Sequence, residues 1–340
     1  MDTVPDDERT RFDEFVDDIL AGPDELAAVI DQHGRGVAAL PHAVLGLPRW
    51  RLIGMGSSRF AALDAAAALR RAGLDASAEM ASASAPSPAG DDTLVIAISN
   101  SGRTHEVVAA AKRHAGISHV VALTGRVDAP LAGVADAVLP LVGRRAEAGG
   151  IATLSYRSTV VALQLLVGAA VPALSAGGIA AAVPTLEALL RDRSGWLAAA
   201  ADLLDTGRTV HVLGDGARAG NTEQAALMLR EGPRIQALAY DTGDWLHVGL
   251  YTLFPGDPVL LFTGSAADGE AIATVHARGG AVVAVGEAVA DADLHVPLPE
   301  VALTDPAIRA LIESAVGDLL AAELWRRTEA ELVSEAPAGE

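Results

Sequence analysis

The sequence has no cysteine, which removes disulfides, thiolate catalysis and Cys-ligated zinc together. Lysine is nearly as scarce: Lys112 stands alone, so covalent imine chemistry has one candidate in all 340 residues. Positive charge is short in general, with 25 Lys and Arg against 44 Asp and Glu and a formal net charge of -19. Such a surface repels phosphate backbones and anionic lipid, so neither nucleic acid nor membrane is an expected partner. A basic leader is also lacking. The chain opens on Met-Asp-Thr-Val-Pro-Asp-Asp-Glu, acidic where a signal or transit peptide is basic. The longest apolar stretch, Val160 to Val183, is interrupted by Gln164, Pro172, Ser175 and the Gly177–Gly178 pair and has no basic flank. It reads as a buried helix, a break and a second short helix. A soluble, cytoplasmic protein is the expectation.

What is present points to a large apolar core. Hydrophobic residues make up 51% of the chain and the mean hydropathy is +0.31, which excludes disorder for most of it. A length of 340 residues exceeds what one core usually fills, so two domains are expected. One or two amphipathic helices lead, within residues 1–44. Strands then end on loops: Arg51–Ile53 on Gly54-Met55-Gly56-Ser57-Ser58, Thr93–Ile98 on Ser99-Asn100-Ser101-Gly102-Arg103-Thr104, and His119–Leu123 on Thr124-Gly125. Unbroken Val/Ile/Leu strands alternating with helices indicate a parallel sheet covered on both faces. The pattern recurs at Thr209–Leu213, Pro258–Phe262 and Ala281–Val285. The two Gly-x-Gly turns lie 160 residues apart (216 minus 56). An internal duplication follows: two α/β domains, residues 45–186 and 196–332, with residues 333–340 as a disordered tail.

In an open parallel sheet, ligands bind beyond the carboxyl ends of the strands. There Ser99, Asn100, Ser101 and Thr104 gather hydroxyls, a glycine turn and the free amides of a helix start, a cradle suited to a phosphate monoester. A simple helix cap needs only one of those hydroxyls. Gly54-Met55-Gly56-Ser57-Ser58 lacks the third glycine of a dinucleotide fingerprint, Arg59 standing in its place. It fits a small ligand touching Ser57 and Ser58 instead of a nucleotide. The nine histidines show no metal-ligand spacing, so neither metal nor organic cofactor is expected.

Acid–base candidates lie in the second half. A helix from Thr222 to Glu231, opened by Asn221-x-x-Gln224 as a partial capping box and stopped by Gly232-Pro233, puts Gln224, Leu227, Met228 and Glu231 on one face. Partial burial and the negative helix end would both raise the Glu231 pKa toward that of a general base. Tyr240-Asp241-Thr242-Gly243-Asp244-Trp245-Leu246-His247 follows, a carboxylate- and imidazole-bearing segment expected to be a site loop, in which Asp241 or Asp244 would orient His247.

The two glycine- and serine-bearing loops, each ending a strand of a duplicated α/β unit, resemble the sugar isomerase (SIS) domain. The arrangement is similar to the tandem isomerase portion of glucosamine-6-phosphate synthase, to type II glucosamine-6-phosphate deaminases and to fructosamine-phosphate deglycases. The resemblance implies two flavodoxin-like SIS domains. Ser99, Asn100, Ser101 and Thr104 then match the phosphate loop, with Ser57 and Ser58 beside it. Ile151-Ala152-Thr153 resembles the stretch along the sugar, so Thr153 is a substrate contact. Glu231 falls on the general base and His247 on a ring-opening histidine that the family takes from a neighbouring subunit, implying a homodimer with shared sites.

The departures matter as well. Met228 replaces a lysine of the synthases, residues 330–340 lack their Schiff-base lysine, and Ala81-Ser82-Ala83 replaces Ala-Ser-Glu. The cysteine-headed glutamine-hydrolysing domain has no counterpart. A glutamine-dependent synthase is thereby excluded. The resulting expectation is a phosphosugar aldose–ketose isomerase or amino-sugar-phosphate isomerase/deaminase. The alternative is a non-catalytic sugar-phosphate sensor, which would keep the pocket without the chemistry.

Overall fold

A computed structural model describes residues 10–141, 143–174 and 178–335. Three helices lead: α1 (Arg11–Leu20), α2 (Gly22–Ala38) and α3 (His42–Leu45). Thr10 opens α1 through a reciprocal capping box with Asp13. The first α/β unit follows as β1 (Arg49–Gly54), α4 (Ser57–Arg71), β2 (Asp75–Met80), β3 (Thr93–Ile98), α5 (His105–His114), β4 (His119–Thr124), β5 (Ala137–Pro140) and α6 (Leu154–Ala170). Next come α7 (Ala182–Asp192) and α8 (Leu197–Leu204). The second unit comprises β6 (Val210–Gly214), α9 (Ala219–Glu231), β7 (Ala237–Asp241), α10 (Thr242–Trp245), β8 (Val259–Phe262), α11 (Asp268–Ala277), β9 (Val282–Gly286), β10 (Leu294–Pro297), α12 (Glu300–Thr304) and α13 (Pro306–Glu335).

Both sheets are parallel and share one topology, β2-β1-β3-β4-β5 in the first unit and β7-β6-β8-β9-β10 in the second. The central strands are mostly apolar and buried, β3 (Thr-Leu-Val-Ile-Ala-Ile) along its whole length. The edge strands β2, β5, β7 and β10 are shorter or more polar. Arg51 braces β2 by pairing with Asp75 at 2.8 Å. Of the Val160–Val183 stretch, the first part is the end of the mostly buried α6, as expected. The second short helix is not within it, since among the described residues only single 3-10 turns at Pro172–Leu174 and Ile179–Ala181 precede α7, which begins at Ala182. Pro172–Gly195 is apolar and long enough by composition to cross a membrane, yet α7 within it packs on α2 and α13 through Leu186, Leu189 and Leu190.

The units meet where α4 and α6 pack on α9 and α13. At Gly220 the backbones come so close that a Cβ would collide with the Phe60 carbonyl oxygen. The Gly220 amide donates to Asp64 at 2.8 Å, the Tyr156 hydroxyl to Asn221 at 3.0 Å, and Arg157 pairs with Asp318 at 2.6 Å. Burial pushes the Asp64 carboxyl up to about 7 and that of Asp318 up to about 6.

This seam corrects one expectation. Asn221 does not cap a helix; α9 begins at Ala219, and Asn221 is buried inside it, donating to the Ala310 carbonyl and to Glu313. An amide that reads as a cap in sequence is here a crosslink between units. At the far end, α13 continues to Glu335, three residues beyond the boundary expected at 332; residues 336–340 lie outside the described residues.

Candidate active site

The β3-to-α5 turn is built on Gly102. Its φ of +61° is open to glycine, and a Cβ there would stand 2.6 Å from the Ala129 side chain and 2.7 Å from the Thr124 hydroxyl. The turn folds three hydroxyls together: Ser99 Oγ lies 2.9 Å from Thr104 Oγ1 and 3.4 Å from Ser101 Oγ. Ser99 and Ser101 also accept from the Gly102 and Arg103 amides, at 3.1 and 3.2 Å. The cradle therefore holds donors and exchangeable hydroxyls but no carboxylate of its own.

Two clefts adjoin it. One, of about 300 Å³, is lined by Ser57, Ser58, Asn100, Glu147, Gly150, Ala152 and Ser155 among others. The other, of about 380 Å³, lies on the far side of Asn100 and Glu147 and takes in Ser101, Gly125 and Arg126. Ser57 and Ser58 enter at the start of α4, after Gly56 turns the chain with a φ of +50°. The structure thus brings Ser57, Ser58, Asn100 and Ser101 around adjoining space, with Ser99 and Thr104 holding the loop from behind.

Thr153 is placed differently from the expectation. It is buried, and its amide and hydroxyl both donate to Glu147, leaving Gly150, Ala152 and Ser155 as the cleft wall. Glu147 is the residue that sequence reasoning missed. It accepts from Thr153 and from the Ser155 amide and hydroxyl, and it borders both clefts. Burial raises its pKa against the pull of those donors. The available signal was a carboxylate four residues before Ile151, just outside the Ile151-Ala152-Thr153 stretch.

Glu231 ends α9, half-buried, and outside both clefts. Burial raises its carboxyl pKa, opposed by Arg11, Arg230 and Arg234. Arg11 donates to the Gly149 carbonyl at 3.1 Å, next to the Gly150 wall. Gln224, two turns earlier on α9, donates to the Ala152 carbonyl at 2.9 Å. The helix carrying Glu231 is therefore fastened directly to the cleft.

His247 is not brought there by its own chain; it is exposed just beyond α10. Nor does Asp241 or Asp244 orient it. The Asp241 side chain caps α10 by accepting from the Asp244 amide at 2.9 Å, and Asp244 meets His247 only through backbone. The expected site loop is instead strand β7 running into α10. Among the described residues no three His, Asp or Glu side chains converge as metal ligands.

Residues 48–169, from the edge of β1 to the end of α6, match the SIS domain family model. The first unit is thus similar to SIS domains. The second repeats its strand order, so the chain has a tandem SIS-type fold. Solved structures agree on the fold. The C-terminal domain of glucosamine-fructose-6-phosphate aminotransferase from Francisella tularensis superimposes with a TM-score of 0.73 at 16% identity, covering 96% of this chain and 98% of that one. Tagatose-6-phosphate ketose/aldose isomerase from Escherichia coli gives 0.72 at 18% identity, with 92% of each chain covered. Glucosamine-6-phosphate deaminase from Thermotoga maritima gives 0.69 at 18% identity, over 92% of this chain and 94% of that one. No curated protein sequence matches the chain. Two SIS-type units end to end are thus a fold shared with enzymes of phosphorylated sugars.

Proposed function

We propose that this protein is a phosphosugar isomerase, or an amino-sugar-phosphate isomerase/deaminase, in which Ser99, Ser101 and Thr104 anchor the phosphate of a hexose 6-phosphate. The observation that carries the reading is the cradle of three hydroxyls and a helix start, whose Ser101 and Asn100 face the larger cleft while Asn100, Ser57 and Ser58 line the smaller. Binding energy from the phosphate holds the reacting carbons in place.

Glu231 takes the C2 proton of the opened aldose, leaving an enediol, and returns it to C1 to give the ketose; its raised pKa suits that exchange. With an amine at C2, the same proton transfer gives an imine, and water then releases ammonia. His247 gives a proton to the ring oxygen as the ring opens. Its exposed position leaves it free to serve the site of a second copy. Val248, Tyr251 and Phe254, exposed beside it at 50%, 77% and 64%, give that contact an apolar surface.

Thermal shifts with hexose 6-phosphates, amino-hexose 6-phosphates and their unphosphorylated parents test the ligand, since a ligand of the folded state raises the melting temperature. Stabilisation by the phosphorylated sugars alone is expected, with ketose or ammonia formed. Mixing inactive Glu231→Gln with inactive His247→Ala tests the shared site: hybrid dimers recover activity if the two residues serve one site from different copies. Full turnover in Glu231→Gln overturns the mechanism. One observation favours a binding-only protein, namely that a single chain leaves His247 outside the clefts. Stabilisation without any turnover would select that reading.

A further inference from the structure

The two units share one backbone hydrogen bond at the carboxyl edge of the sheet, which sets their register. Ser99 ends β3 and its amide donates to the Leu123 carbonyl of β4 at 3.0 Å; Thr263 ends β8 and donates to the Val285 carbonyl of β9 at 3.0 Å. From that shared origin, Thr104 is five residues on and precedes α5, while Asp268 is five residues on and begins α11. The same place in the turn thus carries a hydroxyl in one unit and a carboxylate in the other.

The carboxylate is folded back into the loop. Asp268 Oδ2 accepts from the Gly264 amide at 2.7 Å and the Ser265 amide at 3.1 Å, and the residue is only 4% exposed. In the first unit no acidic side chain takes this position: the corresponding amides, those of Asn100 and Ser101, have no acceptor among the described residues, while the next two, of Gly102 and Arg103, meet serine hydroxyls. Arg218 stands against Gly264 and donates to the Thr263 carbonyl at 2.6 Å, so a cation borders the occupied loop.

We propose that Asp268 is a resident anion, filling in the second unit the place that a ligand phosphate takes in the first and so limiting each chain to one phosphosugar site. A tethered carboxylate meets the amides without the loss of translational freedom a free anion suffers, and its charge repels a second anion. Asp268 is in this sense a specificity-determining residue for the whole chain. The proposal rests on the reading of Ser99–Thr104 as a phosphate loop.

The exchange of the two equivalent residues tests it. Sites per full-length chain are counted by equilibrium dialysis with labelled inorganic phosphate and, separately, with glucose 6-phosphate, melting temperatures confirming that each variant is folded. The expected counts are one for the parent, none for Thr104→Asp and two for Asp268→Thr. A parent that binds two, or a folded Asp268→Thr that binds no more than the parent, overturns the proposal. A parent that binds none overturns the phosphate-loop reading instead. In that case a single site gained by Asp268→Thr still upholds the role of Asp268.

Discussion

The two units share a strand order but not a way of satisfying the polar groups at the carboxyl edge of the sheet. In the first, the turn after β3 is held by hydroxyls: Ser99, Ser101 and Thr104 bond to one another and to nearby amides. In the second the edge is ionic. Arg309 pairs with Glu287 and Glu313, each at 2.7 Å, and donates to the Thr263 carbonyl at 2.6 Å, while Arg218 approaches Glu313 at 3.6 Å. Arg309 beside it holds the Glu287 carboxyl down at about 2. Hydroxyls can trade one partner for another at little cost, whereas buried charges cannot. One fold thus provides an edge free to receive a ligand and an edge locked as a joint.

Breaking the locked edge should have the largest effect. Arg309→Met leaves Glu313, which has no solvent exposure, with only the Asn221 amide and the more distant Arg218, and is expected to cost about 3–5 kcal/mol in urea denaturation. A loss below about 1 kcal/mol would mean the ionic edge is no joint at all. Gly220→Ala drives a methyl into the Phe60 carbonyl across the seam and should cost about 1–3 kcal/mol, without changing the phosphate count.

The Asp64 carboxyl sharpens the comparison through pH. Its folded pKa, about 7, lies above the ordinary 3.8, so the folded state holds the proton more tightly. The stability this gives is complete below about pH 4 and is lost as pH rises through 7. Asp64→Asn should flatten stability over that window and raise it at pH 8. The carboxyl faces a cleft between the units that solvent reaches, so the gain should be about 1–2 kcal/mol, less than the full displacement implies. An unchanged pH profile would remove Asp64 from the account.

The open edge predicts the smallest stability change and the clearest functional one. Ser101→Ala should lower stability by less than about 1 kcal/mol while weakening hexose 6-phosphate binding at least tenfold by calorimetry. Equal affinity in this variant would move the phosphate elsewhere.

The architecture was legible in the sequence wherever burial was two-sided. β3 and β8 contain only apolar residues and one threonine, and the repeat between Gly56 and Gly216 reported the duplication. The edge strands were not legible, because Asp75–Met80 and Ala237–Asp241 are held by neighbours and by Arg51, not by an apolar pattern. Within the site, the Ser99–Thr104 turn was readable because its chemistry is local. Asn221 was not, since its partners Ala310 and Glu313 are defined only once distant helices pack, and Glu147 was not because the irregular turn that folds it back onto Thr153 and Ser155 carries no periodic pattern. Thr153 shows the same limit from the other side: its residue type was right for a sugar contact, but Glu147 takes its hydroxyl.

The packing of the first helix on the last has a bearing on the order of events at the ribosome. Phe12 and Phe15 of α1 meet Trp325 of α13, with ring centroids 5.6 and 5.8 Å apart. Phe15 is completely buried, yet its partner is synthesised some 300 residues later. At ordinary elongation rates that interval lasts about 15–60 seconds. The first sheet can form during that time, and α1 can dock beside it through Asp18, but Phe12 and Phe15 lack their Trp325 contact until α13 emerges. Synthesis of this protein thus passes through a nearly finished first unit with part of its aromatic surface uncovered, a stage at which chaperone capture and premature self-association compete with completion.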